Sequence, residues 1–338
     1  MQLGKAAPVP EATTLERMHE QELEHGDRFP FGENWRRFLR VLDEERIVAA
    51  EESLLRMLGV DSLGGRSFLD VGCGSGLLSL AARRLGARVH SLDYDPASVA
   101  CTRELRRRYF DGDSCWTIEA GSVLDADYMA SLGRFDIVYA WGVLHHTGQL
   151  WRACENVILP LARDGLLFVS IYNDQGAWSE RWRRVKRLYV SGPVGRALVR
   201  SAFIPGTYVR NLAADLVWMR NPLRRYADYK QRRGMSVHHD LIDWLGGYPF
   251  EVAKPEEVFE FFAARGLQLR KLRTQGGTMG CNEFVFEYTP ARARAGTQER
   301  SAQESAGAGG GAEGAGNVRQ GDAEARMPVR LRAHGVLG

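Results

Sequence analysis

A short, largely apolar segment that runs directly into a glycine loop constrains the fold of this chain more than any other feature. Residues 67–71 read as a strand, and glycines follow at the alternate positions 72, 74 and 76. Glycine tolerates positive φ and has no Cβ, so such a loop turns sharply and lets a ligand approach its backbone. A helical pattern begins at residue 77. The segment therefore predicts a strand, a tight loop and a helix N-terminus that together hold a nucleotide-like ligand.

The spacing of these glycines separates the loop from two common nucleotide-binding motifs. It does not match the G-x-G-x-x-G of dinucleotide-binding folds, and no Lys-Ser or Lys-Thr pair follows, as a P-loop would require. Asp70 ends the predicted strand, directly before the loop. An acidic side chain at that position suits a ligand that carries a cationic group nearby.

Segments typical of strands and helices alternate around this loop. Strands are predicted at 67–71, 88–92, 115–120, 135–140 and 166–172, with helices at 77–85, 96–109 and 150–161. The pattern is completed by a helix at 254–266 and two closing strands at 267–273 and 283–288. Strands that alternate with helices at this interval form a parallel sheet covered on both faces. The fold class is therefore predicted as α/β.

Three segments lie outside this alternation. Residues 1–58 are predicted to form a leader and a helical cap, because apolar residues recur at three-to-four spacing up to residue 58. Residues 174–250 form a helical insertion after the fifth strand, a candidate lid or substrate region. Residues 291–338 are low in complexity and are predicted to be disordered. The domain that carries the sheet is assigned to residues 59–290.

Composition and charge narrow the class of protein. The 338 residues are 44% hydrophobic and 26% charged, as in an ordinary globular protein, and no run of 18 apolar residues predicts a membrane span. The N-terminus lacks the apolar core of a signal peptide, so a cytoplasmic location is expected. Five scattered cysteines indicate reduced thiols. Adjacent histidines do not converge on one ion, so no metal site is expected.

The loop Asp-Val-Gly-Cys-Gly-Ser-Gly at residues 70–76 resembles motif I of the class I S-adenosylmethionine-dependent methyltransferases. Three further features follow in the order that this family shows. They are Asp93 at the end of the second strand, residues 121–125 after the third, and residues 135–147 around the fourth. The resemblance implies a Rossmann-like, seven-stranded, mostly parallel sheet with helices on both faces, an N-terminal helical cap and a helical insertion after the fifth strand.

This resemblance covers roughly residues 65–173 and 254–288, and it implies S-adenosyl-L-methionine as the cofactor. Asp93 is expected to accept both ribose hydroxyls, as an acidic residue does in dinucleotide folds. Asp95 is the alternative, although it also suits an N-cap before Pro96. The residues expected to bind the cofactor are Asp70, Gly72, Cys73, Gly74, Gly76, Asp93, Tyr94, Ser122, Val123, Ala140, Trp141 and Gly142.

Within that set, Tyr94 is expected to lie against the adenine, and residues 140–142 to flank the methionine part of the cofactor. One position departs from the family pattern. The family usually has an acidic residue beside the turn after the third strand, whereas this chain has Ser122 there and Asp125 later. Ser122 and Val123 are therefore the adenine contacts that the resemblance implies.

The methyl acceptor is expected near the insertion, because substrate groups in this family often come from N-terminal helices and from insertions after the fifth strand. His239, with Asp240 or Asp243 as its orienting carboxylate, is the candidate general base. A capped helix is the alternative interpretation of this segment. The candidate substrate contacts are His146, Asp243, Tyr248 and Asn282. For His146 and its neighbour His145, packing within the loop is the alternative.

The insertion is strongly basic. Residues 175–235 contain 14 Arg and Lys against three acidic residues, a net charge of +11. The charge is either the solvated face of an amphipathic helix or an attraction for an anionic partner such as a sugar phosphate, an acidic peptide or a nucleic acid. Residues 200–219 are also apolar enough to form a lid, or to rest peripherally on a membrane or a lipid tail.

The predicted function is methyl transfer to an oxygen of a small molecule or natural product. The alternative is transfer to a peptide or protein side chain. RNA ranks third, and nucleic acid is not the expected partner, because no RNA-binding module is recognisable. Outside enzymes, the rival hypothesis is a binding protein that keeps the cofactor site without catalysis.

Overall fold

The computed structural model describes residues 12–219, 221, 237–276 and 280–289. Seven strands form one sheet. They are β1 (Ser67–Val71), β2 (Arg88–Asp93), β3 (Trp116–Ala120), β4 (Phe135–Trp141), β5 (Leu161–Tyr172), β6 (Leu267–Arg273) and β7 (Cys281–Tyr288). Their order in the sheet is β3-β2-β1-β4-β5-β7-β6. Strands β1 to β5 pair in parallel, and β7 pairs antiparallel with both β5 and β6. The predicted α/β class and the seven-stranded, mostly parallel sheet are confirmed.

Strand order reverses beside β1, whose neighbours are β2 and β4. In open α/β sheets such a switch point leaves a crevice outside the carboxyl ends of the strands. The glycine loop follows β1 directly, so the topology places it at this crevice.

Strand β5 is longer than predicted. It begins at Leu161, where the sequence pattern predicts the end of a helix, because Leu161 pairs with Phe135 of β4. The pairing then breaks and resumes at Leu166, and Asp164 between them has a φ of 59°. The polar residues Arg-Asp-Gly at this turn interrupt the apolar pattern, so the sequence does not indicate the first part of the strand.

Eleven α-helices lie within the described residues. They are α1 (Ala12–Glu24), α2 (Phe31–Phe38), α3 (Glu44–Leu58), α4 (Leu77–Arg84), α5 (Pro96–Tyr109), α6 (Ala126–Ser131), α7 (Leu150–Asn156), α8 (Ala177–Val190), α9 (Pro193–Val217), α10 (Val237–Gly246) and α11 (Pro255–Ala263). A 3₁₀ turn spans Leu144–His146. Local signals explain several ends. Asp43 caps α3 by accepting a hydrogen bond from the Arg46 N–H, and Gly59 ends that helix with a φ of 69°.

The sheet buries both of its faces. Because successive strand residues point to opposite sides, Phe68 and Ile137 belong to one core cluster, with residues of α3, α4 and α5. Leu69 and Val138 belong to the other, with residues of α7 and α11. The sheet is therefore a rigid central layer that holds its carboxyl-end loops in place.

A third core cluster joins the insertion to the N-terminal part of the chain. It contains Tyr189 of α8, Val199 of α9, Trp244 of α10 and Phe29, which precedes α2. The predicted segments 1–58 and 174–250 thus pack against each other. The domain boundaries themselves remain predictions, and the predicted disorder of residues 291–338 falls outside the described residues. No described helix has the length and hydropathy needed to cross a membrane.

Candidate active site

A cavity of about 750 Å³ lies at the carboxyl ends of β1, β2 and β4. Its sheet-side lining comes from four loops, at residues 70–75, 92–95, 121–127 and 141–143. Residues of α1, α2 and α10 also line it. This volume lies within the range of pockets that enclose a small-molecule ligand, roughly 300–1,000 Å³.

The glycine loop presents its backbone to the cavity. Gly72, Gly74 and Gly76 all have positive φ, at 77°, 55° and 81°. A Cβ on Gly74 would lie 3.0 Å from the Trp35 indole nitrogen, so this position needs both the conformational freedom and the small size of glycine. Gly72, Cys73 and Gly74 line the cavity, whereas Gly76 caps α4 and is not among the lining residues.

Asp93 ties the glycine loop to the end of β2. One carboxylate oxygen accepts the Gly74 N–H at 2.8 Å, and the other accepts the Asp95 N–H at 2.9 Å. Burial, with the nearby charge of Asp95, raises the pKa of Asp93 to about 7. Asp93 lines the cavity, so a ligand hydroxyl that donates to it would favour its ionised form.

Asp95 has a structural role. Its side chain caps α5 by accepting the Ala97 N–H at 2.8 Å, and it also accepts the Gly32 N–H at 2.7 Å. These bonds join α5 to the start of α2, so the geometry agrees with the N-cap interpretation of Asp95.

Asp70 lies at the end of a chain of hydrogen bonds that the sequence did not reveal. The Ser79 hydroxyl donates to Asp70 at 2.5 Å, the Ser79 and Ser91 hydroxyls are 2.7 Å apart, and the Trp116 indole N–H donates to Ser91 at 2.9 Å. Since Ser79 gives its proton to Asp70, Ser91 must donate to Ser79. Burial raises the pKa of Asp70 to about 7, and the Ser79 bond opposes that rise.

The loop after β3 supplies the predicted adenine contacts. Ser122 and Val123 both line the cavity. The Ser122 hydroxyl accepts the Leu124 N–H at 3.2 Å, and the Val123 carbonyl accepts the Asn156 side-chain amide at 2.8 Å. Asp125 caps α6 by accepting the Tyr128 N–H at 3.0 Å. Each of these bonds holds the shape of the loop.

The end of β4 is held from β5 and β7. The Trp141 indole N–H donates to Glu283 at 2.9 Å, and the Gly142 N–H donates to the Ser170 hydroxyl at 2.9 Å. Trp141 and Gly142 line the cavity. Ala140 is fully buried within β4 and is not among the lining residues.

His146 lies in the 3₁₀ turn that follows β4. Its Nδ1 is 2.7 Å from the Pro249 carbonyl oxygen. A carbonyl only accepts hydrogen bonds, so Nδ1 carries the proton and Nε2 carries the lone pair. Burial and the charge of Lys186 lower the pKa of His146 to about 3. His146 lines the cavity as a neutral ring, whereas fully buried His145 packs 4.1 Å from the Tyr172 ring.

The remaining substrate candidates separate into two groups. Asp243 lines the cavity and accepts the Asn34 side-chain amide at 2.8 Å. Tyr248 and Asn282 are not among the lining residues. Asn282 is buried, and its amide donates to Asn173 at 3.0 Å. A role for Tyr248 or Asn282 in direct substrate contact would therefore require the cavity to extend.

The backbone of His239 and Asp240 lies in the first turn of α10. Their side chains are outside the described part of the chain. The hypothesis of a general base at His239 therefore remains a prediction. The same helix brings Asp243 and Trp244 to the cavity.

Helix α1 and the loop after it contribute cavity residues that sequence reasoning missed. Arg28 pairs with Glu22 at 2.5 Å, lies 4.8 Å from the centroid of the Tyr94 ring, and donates to the His146 carbonyl oxygen at 3.3 Å. The Tyr94 hydroxyl donates to Glu22 at 3.3 Å. Arg28 thus contacts both Tyr94, the predicted adenine contact, and the loop that carries His146. The helical pattern of this segment predicted a cap but not residues that line the cavity.

A buried lysine contacts Trp244, which lines the cavity. Lys186 of α8 is fully buried and donates to the Trp244 carbonyl oxygen. Its ammonium nitrogen lies 4.2 Å from the Trp244 ring centroid and 4.9 Å from that of Phe250. Burial lowers the pKa of Lys186 to about 7. The aromatic rings and the carbonyl compensate part of the desolvation of this charge.

Comparison with known proteins agrees with the geometry. Residues 69–167 match a family model described as a methyltransferase domain. The chain is 43% identical over 74 residues to a ribosomal protein L11 methyltransferase from Methylococcus capsulatus, covering 22% of this chain and 25% of the relative. It is 30% identical over 122 residues to a ubiquinone biosynthesis O-methyltransferase from Methylobacterium sp., covering 34% and 45%. The chain thus spans less than half the length of these curated relatives. The predicted resemblance to methyltransferases is confirmed.

Two solved structures align with most of this chain at low identity. Magnesium protoporphyrin IX methyltransferase from Synechocystis, solved with bound SAM, is 12% identical, with a TM-score of 0.45 and coverage of 85% of this chain and 100% of that one. The N-methyltransferase NodS from Bradyrhizobium japonicum, solved with S-adenosyl-L-homocysteine, is 15% identical, with a TM-score of 0.41 and coverage of 81% and 98%.

Proposed function

We propose that this chain, whose residues 69–167 match a family model of a methyltransferase domain, transfers a methyl group from S-adenosyl-L-methionine to an oxygen of a small molecule such as a natural product. One observation carries the proposal. A single cavity is lined by Asp93, by the glycine loop and by the neutral ring of His146. It can therefore hold a nucleoside cofactor and an acceptor together.

The described residues fit this cofactor. Asp70 is an acidic group for the cationic amino group, and Asp93 has the position to accept ribose hydroxyls. The backbone of Gly74 lines the cavity, and a Cβ there would crowd the Trp35 indole, which also lines it. Residues 122–123 would contact the adenine, and residues 141–142 the methionine part. When bound, the cofactor supplies an electrophilic methyl group on a sulfonium.

Methyl transfer of this kind is an in-line displacement, so most of the catalytic effect comes from positioning and from excluding water. His146 suits positioning, because Nε2 keeps its lone pair and can accept a hydrogen bond from an acceptor hydroxyl. With a pKa of about 3, His146 is a weak base. The hydroxyl proton must leave to a stronger base as the oxygen gains the methyl carbon, and His239 is the predicted group for that step.

A peptide or protein acceptor is the second candidate. The similarity to ribosomal protein L11 methyltransferases favours it. The size of the cavity favours the small molecule, because about 750 Å³ lies within the range of pockets that enclose a small-molecule ligand, roughly 300–1,000 Å³.

Two experiments test the proposal in sequence. Isothermal titration calorimetry of the full chain with S-adenosylmethionine and S-adenosylhomocysteine should show binding, and no binding of either would end the proposal. A mass-spectrometric screen for products heavier by one CH₂ then separates the acceptors. Methylated phenols or carboxylic acids would support the small molecule, whereas methylation of peptides alone would favour the second candidate.

A further inference from the structure

Helix α9 exposes an apolar stripe along its whole length. Five large aliphatic side chains are between 48% and 72% exposed: Val194, Leu198, Val209, Leu212 and Leu216. Ala202 and Pro205 between them are exposed as well. At 3.6 residues per turn, all seven positions fall within a sector of about 80°. We call these seven residues the α9 stripe.

The α9 stripe is not the side of the helix that packs on the protein. Val199 is buried, and the Arg200 guanidinium donates to the Tyr189 hydroxyl at 2.8 Å. The Phe203 ring packs 5.1 Å from that of Trp182. A helix at a protein surface ordinarily turns polar residues toward water. Here the side away from the protein is apolar, which marks an interaction surface.

Large apolar side chains are also exposed just beyond the end of the helix. Trp218 and Met219 are 59% and 94% exposed. Tryptophan is enriched where a membrane meets water, because its ring is apolar and its N–H is polar. The stripe and these two residues together have the composition of an interfacial anchor.

The exposed charge of α8 and α9 is positive. Arg181, Arg184, Arg187 and Arg210 are exposed on α8 and α9. Within the described residues of these two helices the acidic side chains are Glu180, which pairs with Arg183 and Arg184, and Asp215, which is buried. No acidic side chain of α8 or α9 thus faces solvent unpaired. Over residues 175–235 the sequence has a net charge of +11.

We propose that α9 docks this protein on an anionic membrane surface. The α9 stripe would lie in the boundary between headgroups and acyl chains, parallel to the membrane, with the arginines against anionic headgroups. A second copy of the chain is a poorer occupant, because pairing two stripes would bring two strongly positive segments together. Docking of this kind does not depend on methyl transfer, so it can be measured even if no cofactor binds.

Cosedimentation of the full chain with vesicles tests the proposal. Binding is expected with phosphatidylcholine vesicles that contain phosphatidylglycerol, weaker binding with phosphatidylcholine alone, and loss of binding as salt rises. The variant with Val209→Glu and Leu216→Glu should bind at least about tenfold more weakly, because it replaces inserted aliphatic groups with charge. Val41→Glu is the matched control, since Val41 is also exposed, at 43%, but lies outside α9.

Three results would overturn the proposal. The first is absence of binding, or equal binding to both kinds of vesicle. The second is a dimer in light scattering that the double variant abolishes, which would assign the stripe to a second copy. The third is a melting temperature of the double variant far below that of Val41→Glu, which would show that the stripe packs against the protein's own chain.

Discussion

The Ser79 hydroxyl donates a 2.5 Å hydrogen bond to a carboxylate oxygen of Asp70, across the interface between α4 and β1. Behind Ser79, Ser91 and Trp116 donate in the same direction. The donors form a relay of aligned dipoles that ends on a buried carboxylate. Such alignment favours the ionised form of Asp70 against the desolvation that burial imposes.

Ser79→Ala is expected to weaken binding of S-adenosylmethionine about 5- to 30-fold at neutral pH. The variant removes one hydrogen bond to a charged group, typically about 1–2 kcal/mol, and lets the pKa of Asp70 rise further. Calorimetry at neutral and at alkaline pH measures the effect. The deficit should shrink at alkaline pH, where Asp70 is ionised in both proteins. Ser131→Ala is the control, because Ser131 is on α6, away from Asp70.

Cofactor affinity should increase as pH rises through about 7. Burial raises the pKa of both Asp70 and Asp93 to about 7 in the free protein. Each raised pKa means that the folded, ligand-free state prefers the protonated acid. For each acid, the stabilisation of the folded state by this preference is complete below the pKa of the acid in the unfolded chain, and it is lost as pH rises through about 7. A ligand that needs the ionised acids therefore binds better above pH 7. A flat affinity in calorimetry between about pH 6 and pH 8 would contradict these roles.

Asp93→Ala should mainly weaken cofactor binding, whereas Asp95→Ala should mainly lower the stability of the fold. Asp93→Ala is expected to reduce cofactor affinity at least about tenfold, because it removes a ligand contact and the bond that orients Gly74. Asp95→Ala should lower the free energy of unfolding by about 1 kcal/mol through loss of the α5 cap. Calorimetry and chemical denaturation of both variants make the comparison. Equal losses of affinity would move the ribose contact toward Asp95.

His146→Phe should lower turnover about 100-fold with the acceptor found by the mass screen, because the acceptor hydroxyl loses the group that positions it, and leave cofactor affinity nearly unchanged. The variant keeps an aromatic ring between Phe31 and Tyr172 but has no lone pair. Steady-state kinetics with calorimetry checks both readouts. Because the pKa of His146 is about 3, its ionisation should leave no step in the pH–rate profile near neutrality. Normal turnover of the variant would assign His146 to packing alone.

Lys186→Met should make the protein's stability less dependent on pH. Burial lowers the pKa of Lys186 to about 7 from an ordinary 10.5. Between these values the unfolded chain binds the extra proton, so the Lys186 contribution to stability rises with pH. Urea denaturation of both proteins at neutral and alkaline pH measures the difference. Equal slopes in wild type and variant would show that Lys186 titrates normally.

Much of the central layer was predictable from local patterns. A few consecutive residues are enough to indicate each of three features: the strand and glycine loop at 67–76, the N-cap at Asp95, and the closing strands. The early start of β5 was missed, because its first residue pairs with β4 across a polar turn. The cavity residues of α1 were missed for a related reason, since an amphipathic helix pattern shows which side is buried and not what it covers.

The sequence by itself determined the α/β sheet, the glycine loop and the resemblance to methyltransferases, because these depend on periodicity and on the conformational needs of single residues. Only the tertiary structure decided which distant residues meet to line the cavity. Arg28 meets His146 across 118 positions, and Trp141 meets Glu283 across 142. Contacts between residues so far apart leave no spacing in the sequence, because chain topology and side-chain packing bring them together. For the same reason, the exposure of the α9 stripe became visible only once the opposite side of the helix was seen to be packed.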